Sequence, residues 1–539
     1  MKKKLLVLLL MVVPMLTFAQ EKGLDQKIDA AFQPVSDFFS NLIFFTIPIA
    51  GIDVPFVLLL LVGSALFFTI YFKFPNIFHF KTAINVVRGK YDELDQHLAG
   101  DPVLAIGGDI KGTIKDESTE GEVTHFQALA TAVSGTVGNG NIAGVALAIA
   151  LGGPGATFWM VVCGFLGMST KFVECTLGVQ YRDVGEDGTV YGGPMYYISK
   201  GLKERGFETF GKIVAVIFAI FCIGGSFGGG NAAQSNQATV VLKELMGLES
   251  SGAGFWIGVV MAIVVGVIII GGIKRIASVT EKVVPFMAVL YLLACLYILG
   301  ANFSLIDDAF SLIFREAFNP TAIGVGGVIG VLLVGFKRAA FSNEAGAGSA
   351  SIAHSAVKTK YSASEGLVAL LEPFIDTVVI CTMTALVIII FNFGGDASGA
   401  TIFQYGGDGA GAVLIDGVSY EGAGITSKAF AQYIPYSNVF LTVAVVLFAV
   451  STMISWSYYG LQSWKFLFGR GKAADMAYKL LFLLFVVIGA SASMKSIWAF
   501  SDAMIFAMVF PNMVGLYFLF PVVKEQLKRY TDAIKESKA

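Results

Sequence analysis

Charge is what this chain has least of. Asp, Glu, Lys and Arg make up 14% of its 539 residues against 55% hydrophobic residues, more apolar surface than a water-soluble chain of this length buries. Its formal net charge is -2, and the positive residues are divided among short loops with no continuous basic patch, which excludes a nucleic-acid binder. Histidine is equally scarce: His79, His97, His125 and His354 are scattered, and the cysteines Cys163, Cys175, Cys222, Cys295 and Cys381 all lie in apolar stretches without a CxxC pair. No disulfide framework and no zinc-type ligand cluster can be read from them, so the thiols count as small buried hydrophobes. HExxH is missing, and the GxSxG pattern at Gly224 to Gly228 lies inside an apolar span and not where a hydrolase or acyltransferase would need it, which argues against a membrane-embedded enzyme.

What is present is a succession of long apolar runs. Lys2-Lys3-Lys4, the run Leu5 to Leu16 and Thr17-Phe18-Ala19 have the order of a signal peptide over 1–19, an uncleaved anchor being the other reading. A window of about 20 residues then marks eleven spans. They lie near 53–73, 126–151, 156–178, 213–242, 254–273, 283–301, 321–350, 366–392, 436–460, 475–491 and 496–521. With the processed N-terminus outside, one side of the membrane receives 25 Lys and Arg and the other only Lys22, Lys27, Lys243, Arg315, Lys428 and Lys495. The positive-inside rule therefore supports this topology, expected in a bacterial inner membrane. It makes 20–52 periplasmic, 53–73 an extra helix, 74–123 cytoplasmic with an amphipathic helix over Phe74 to Val87, and 522–539 a cytoplasmic tail. The Gly- and Asp-rich loop from Gly394 to Gln432 is expected over the outer entrance.

Setting the extra helix aside leaves ten spans in two sets of five, 124–303 and 320–521, and an odd set must restart from the opposite side, as in an inverted repeat. The opening span of each set is also its most damaged helix: Gly135-Thr136-Val137-Gly138-Asn139-Gly140-Asn141-Ile142-Ala143-Gly144 in the first, Phe341-Ser342-Asn343-Glu344-Ala345-Gly346-Ala347-Gly348 in the second. Each glycine costs about 0.8–1.0 kcal/mol against Ala in a helix interior. Unwound backbone survives at membrane depth only where it is buried or lines a wet cavity, so these segments are the candidate site. Bare N–H groups at one half-helix and bare carbonyls at the other suit a zwitterion, which favours a neutral amino acid over a sugar or a dicarboxylate. A passive channel stays open as another class.

In these motifs, together with Glu174-Cys175-Thr176-Leu177-Gly178, Gly192-Gly193-Pro194-Met195-Tyr196-Tyr197-Ile198 and Trp456-Ser457-Tyr458-Tyr459-Gly460, the chain resembles the alanine or glycine:cation symporters from about Phe72 onward. The Gly-x-Gly-Asn break is also similar to that of the bacterial leucine transporter. The resemblance implies an all-α, polytopic LeuT-type fold, a 5+5 inverted repeat of eleven transmembrane helices with the extra one and two broken helices. It implies import of alanine or glycine with Na+, or alternatively H+, and no organic cofactor.

Carried over, Thr136, Gly138, Asn139, Gly140 and Asn141 would bind substrate, its carboxylate on the amides of Gly138 to Gly140, with Phe341 and Ser342 facing it. Ser134 and Val137 would offer carbonyls, and Ser451 and Thr452 hydroxyls, to Na+, a hard cation that needs only oxygens. Trp456 would limit the pocket to little more than a methyl group, and Gln234 would bond either end of the substrate. Interfacial anchoring for Trp456, and helix-to-helix hydrogen bonds for Gln234, Ser451 and Thr452, are the plainer uses of the same residues. Lys171, Glu174, Lys337, Arg338 and Glu344 are ionisable at membrane depth, Arg338 and Glu344 being the expected gate pair.

Overall fold

A computed structural model describes residues 24–49, 51–95, 121–185, 188–248, 250, 252–319, 327–394, 401–406, 409 and 411–537. The expected signal segment 1–19 and residues 96–120 of the polar stretch lie outside the described residues. The apolar runs are helical, as they must be where no water can satisfy backbone polar groups. Among the described residues seven helices are long and apolar enough to cross a membrane: Gly155–Gln180, Glu208–Met246, Gly272–Ala301, Ser362–Asn392, Ser437–Phe468, Lys472–Ser491 and Met494–Glu536. His125–Thr136 and Gly140–Gly152, bent by 50° at their junction, make an eighth if counted as one span.

The remaining expected spans fall on shorter helices. Phe56–Tyr71 has 16 residues, Ala253–Ile269 has 17 and Gly327–Asn343 has 17, whereas a bilayer core of about 30 Å asks for about 20 at 1.5 Å per residue. Two of the long helices contain a π-helical stretch, Gly228–Ala232 and Phe374–Cys381. Such bulges re-aim side chains and gather at functional sites, and both lie against the site described below.

The segment expected only to face outward is itself folded. Helix Leu24–Ile43 lies on the start of Met494–Glu536: Ser36 Oγ donates to the Ser496 carbonyl at 2.8 Å, and the Phe32 ring meets Phe500 edge-on at 5.1 Å. A hairpin, Thr46–Ile49 with Ile52–Pro55, then leads into Phe56–Tyr71. At the far end of that helix Lys73 and Phe74 both take φ of 57°, turning the chain sharply into Pro75–Phe78 and Phe80–Val87. The amphipathic helix expected over Phe74 to Val87 is thus two pieces broken at His79. The last helix runs on to Glu536, through the expected tail, because Val523, Gln526, Tyr530 and Ile534 keep a buried stripe at helical spacing.

The expected entrance loop descends further than its composition suggested. Its hairpin, Val413–Ile415 with Val418–Tyr420, is followed by the largely buried helix Ala423–Ala431, whose Thr426 hydroxyl donates to the Ile142 carbonyl in the first break at 3.1 Å.

Candidate substrate and cation site

Helix His125–Thr136 opens with a capping box, in which Thr124 Oγ1 accepts from the Gln127 amide at 3.2 Å and the Gln127 side chain accepts from the Thr124 amide at 3.1 Å. It ends at Val137, whose N–H still reaches the Val133 carbonyl at 2.7 Å before ψ swings to 89°. Side chains then take over for the lost helical bonds. Asn141 Oδ1 accepts from the Gly138 amide at 2.9 Å, Gln234 Oε1 accepts from the Asn139 amide at 2.9 Å, and Asn139 Nδ2 donates to the Gln234 carbonyl at 3.1 Å. Glycine is required at 138 by close approach: a Cβ there would lie 2.4 Å from Thr452 Oγ1.

The second break has a different local cause. Helix Gly327–Asn343 stops at Glu344, which sits at φ 55°, and Asn343 Oδ1 accepts from the Ala345 amide at 3.0 Å; helical structure resumes at Ala350–His354. The two breaks touch, since a Cβ on Gly140 would stand 3.5 Å from Ser342 Cα and 3.7 Å from the Phe341 ring.

Asp376, on the Phe374–Cys381 stretch, joins them. Its Oδ1 accepts from Asn141 Nδ2 at 2.6 Å, its two carboxylate oxygens accept from Ser342 Oγ at 3.1 and 2.9 Å, and its Oδ2 accepts from Thr377 Oγ1 at 2.6 Å. Asp376 is fully buried, and these donors are all neutral. A buried carboxylate without a cationic partner is expensive in this setting, so the arrangement calls for a cation, an ammonium group or a proton. The sequence reading passed over Asp376, although an acidic residue inside an apolar span was the signal it applied elsewhere.

Of the residues expected around Na+, Ser134 and Thr452 come together: Thr452 Oγ1 donates to the Ser134 carbonyl at 3.0 Å, and Ser134 Oγ donates to the Ser451 carbonyl at 2.8 Å. The Ser451 hydroxyl turns back to the Phe448 carbonyl at 2.9 Å, along its own helix. Val137 is fully buried at the end of the first half-helix, and Thr136 Oγ1 bonds back to the Ala132 and Val133 carbonyls at 3.3 and 3.4 Å. Trp456 is buried one turn past Thr452 and packs against the Gly228–Ala232 bulge, where a Cβ on Gly230 would lie 2.1 Å from its Cγ.

The expected gate pair is not formed, which corrects the sequence reading. Arg338 pairs with Asp502 of the last helix and lies over the rings of Phe341 and Trp498, at 5.4 and 5.3 Å. Glu344 takes the Trp456 indole N–H on Oε1 at 2.9 Å and the Ser349 hydroxyl on Oε2. Six positions apart, the two side chains leave a helix about 120° from one another and meet different neighbours. Lys337 also reaches Asp502, at 3.0 Å, while Lys171 pairs with Glu372 at 3.0 Å and Glu174 accepts from Asn512 at 2.6 Å. Beyond these lies a buried chain of acids and imidazoles that sequence reasoning also missed, with Glu365 holding His125 on one oxygen and His354 on the other.

The profile of the sodium:alanine symporter family matches residues 45–539. The chain belongs to that family. Like the family it is a transporter and not an enzyme, and its apolar helices make it a multi-pass membrane protein. Among its relatives, the sodium/alanine symporter AgcS of Methanococcus maripaludis is 38% identical, the match covering 89% of this chain and 95% of that protein. The sodium/proton-dependent alanine carrier protein of Bacillus sp. (strain PS3) is 32% identical over 78% of this chain and 91% of its own. Among solved structures, MhsT in complex with L-phenylalanine superposes with a TM-score of 0.47 at 14% identity, covering 76% of this chain and 99% of that one.

Proposed function

We propose that this family member imports alanine or glycine with Na+ by alternating access, in a bacterial inner membrane, through a 5+5 inverted repeat of ten spans preceded by one extra helix. The observation that carries this reading is the meeting of both helix breaks on Asp376, beside the Thr452–Ser134 contact. Support for the ion and the substrate comes from relatives named as sodium/alanine symporter and sodium/proton-dependent alanine carrier.

In this reading the side-chain oxygens of Asn141 and Gln234 stand where a substrate carboxylate binds. They accept from the Gly138 and Asn139 amides, and a carboxylate is the stronger acceptor for the same donors. The substrate ammonium, or a cation, answers the charge of Asp376, with Ser342 and Asn141 turning to it. Na+ takes the Ser134 and Val137 carbonyls and the Thr452 and Ser451 hydroxyls, Ser451 changing rotamer to do so. Gly140 and Phe341 form the wall between the breaks, and Trp456 closes the side-chain end to anything much larger than a methyl group. Thr136 supports the end of the half-helix. Arg338, through Asp502, and Glu344, through Trp456, tie the second broken helix to two neighbouring helices, contacts that opening of the gate must release.

The test is uptake of labelled alanine and glycine into liposomes holding the purified protein. Accumulation under an inward Na+ gradient with no proton gradient is expected. Accumulation that follows only the proton gradient transfers the coupling to H+, with Asp376 as the group to be protonated, and unsaturable flux without counterflow makes the protein a channel.

A further inference from the structure

A groove of about 1010 Å³ opens where Phe56–Tyr71 turns out of its helix against the far part of Met494–Glu536. Its polar wall carries Lys73, Lys524, Lys528 and Lys535, and its apolar wall includes Tyr71, Phe72 and Leu527. Two carboxylates also line it. Asp532 is engaged by Lys535 at 3.1 Å, and Glu525 is the other. Among the described residues no carboxylate forms an ion pair with Lys73, Lys524 or Lys528, and Lys524 Nζ lies 5.2 Å from the Tyr71 ring centre. Burial pushes the His79 imidazole below its usual range, so it lines the groove uncharged. Lys73 is placed there by backbone that L residues rarely adopt, the consecutive left-handed turn at Lys73 and Phe74, while Lys524, Lys528 and Lys535 stand on the last helix.

The rim of the groove is apolar and bare. Phe74, Ile77 and Phe78 are 41%, 54% and 72% exposed, on the short Pro75–Phe78 helix directly after a membrane-length run and on the side of the chain that collects its Lys and Arg. A free anion has no use for these side chains. An anionic lipid uses both features, its phosphate against the lysines and its acyl chains against the rim. We propose that this groove binds the phosphate headgroup of an anionic phospholipid, with Lys73, Lys524 and Lys528 as its cationic contacts and Phe78 against the acyl chains. The site shares no residue with the transport site and does not depend on the transport reading.

Native mass spectrometry of the delipidated full-length protein tests it, with dioleoyl-phosphatidylglycerol, dioleoyl-phosphatidylcholine and inorganic phosphate as probes. Retention of phosphatidylglycerol in preference to phosphatidylcholine is expected, weakened roughly a hundredfold in the K73Q/K524Q/K528Q triple variant, about fivefold for each surface cation lost, and kept in K73R/K524R/K528R. An unchanged melting temperature in both triple variants shows that folding is not what is being read. Equal retention by wild type and the Gln variant overturns the proposal. So does equal binding of phosphatidylcholine, or displacement of the lipid by excess inorganic phosphate.

Discussion

Asn141 donates its amide to Asp376 at 2.6 Å, which ties the restart of the first broken helix to a carboxylate that the second broken helix also grips through Ser342. Among the described residues Asp376 forms no ion pair. Replacing it by Asn keeps the shape and most of the hydrogen bonding but removes the charge. Asp376→Asn is expected to lower the initial rate of alanine uptake by roughly a hundredfold, the scale of losing one member of a buried charged contact, with a melting temperature near that of the wild type. Undiminished uptake by this variant removes Asp376 from the mechanism.

A substitution at Thr452 tells the proposed ion site apart from the proposed substrate site. Thr452→Val retains the volume but loses the hydroxyl that stands 3.0 Å from the Ser134 carbonyl. The half-saturating Na+ concentration for uptake should rise about tenfold, while the alanine concentration at half-maximal uptake, measured at saturating Na+, stays within about twofold of wild type. A variant that shifts both equally points to a helix contact and not to an ion ligand.

Packing supplies a third prediction. The Gly138→Ala methyl would fall 2.4 Å from Thr452 Oγ1, whereas a Cβ at Gly63 meets nothing within 4 Å. Gly138→Ala should cost about 1–3 kcal/mol and abolish Na+-dependent uptake. Gly63→Ala, on the exposed side of Phe56–Tyr71, should leave both thermal unfolding and uptake unchanged.

Trp456 fills the space over the Gly228–Ala232 bulge and hydrogen-bonds Glu344. Trp456→Ala should let leucine compete with alanine for uptake, and Trp456→Phe should keep the small-substrate profile while losing the indole donor. Competition panels read both; a leucine-blind Trp456→Ala variant excludes Trp456 from the pocket wall.

Lys171 and Glu372 form a fully buried ion pair at 3.0 Å. Removing one partner strands the other, so Lys171→Met is expected to destabilise by about 3–5 kcal/mol, and the double variant Lys171→Met/Glu372→Leu to recover much of that loss. Thermal or denaturant unfolding in detergent measures both; a double variant no better than the single one shows that His354 and Glu365 share the charge.

Some of this was legible in the residues alone. Glycine density and paired asparagines announced the first break, because glycine lowers helix propensity wherever it stands, and the same residue types marked the second. Partner choice was not legible. Arg338 and Glu344 are six residues apart, a spacing that sets them about 120° apart around a helix, but nothing in the sequence says that one reaches Asp502 of the last helix and the other Trp456. Asp376 was hidden in a strongly apolar run, and the π-helical stretch that aims it inward has no sequence signature comparable to a glycine cluster. Helix Leu24–Ile43 was missed because its amphipathic, moderately polar residues resemble an exposed tail until Phe500 and Ser496 are placed beneath them.

Thr452 and Trp456 stand four positions apart on the unbroken helix Ser437–Phe468, one hand on each interrupted segment: the hydroxyl at the Ser134 carbonyl, the indole at Glu344. A rod cannot roll or tilt at one of these positions and stay still at the other. Whatever pulls on the hydroxyl is therefore felt as a displacement of the aromatic wall, so the two halves of the fold are geared together by a single shaft.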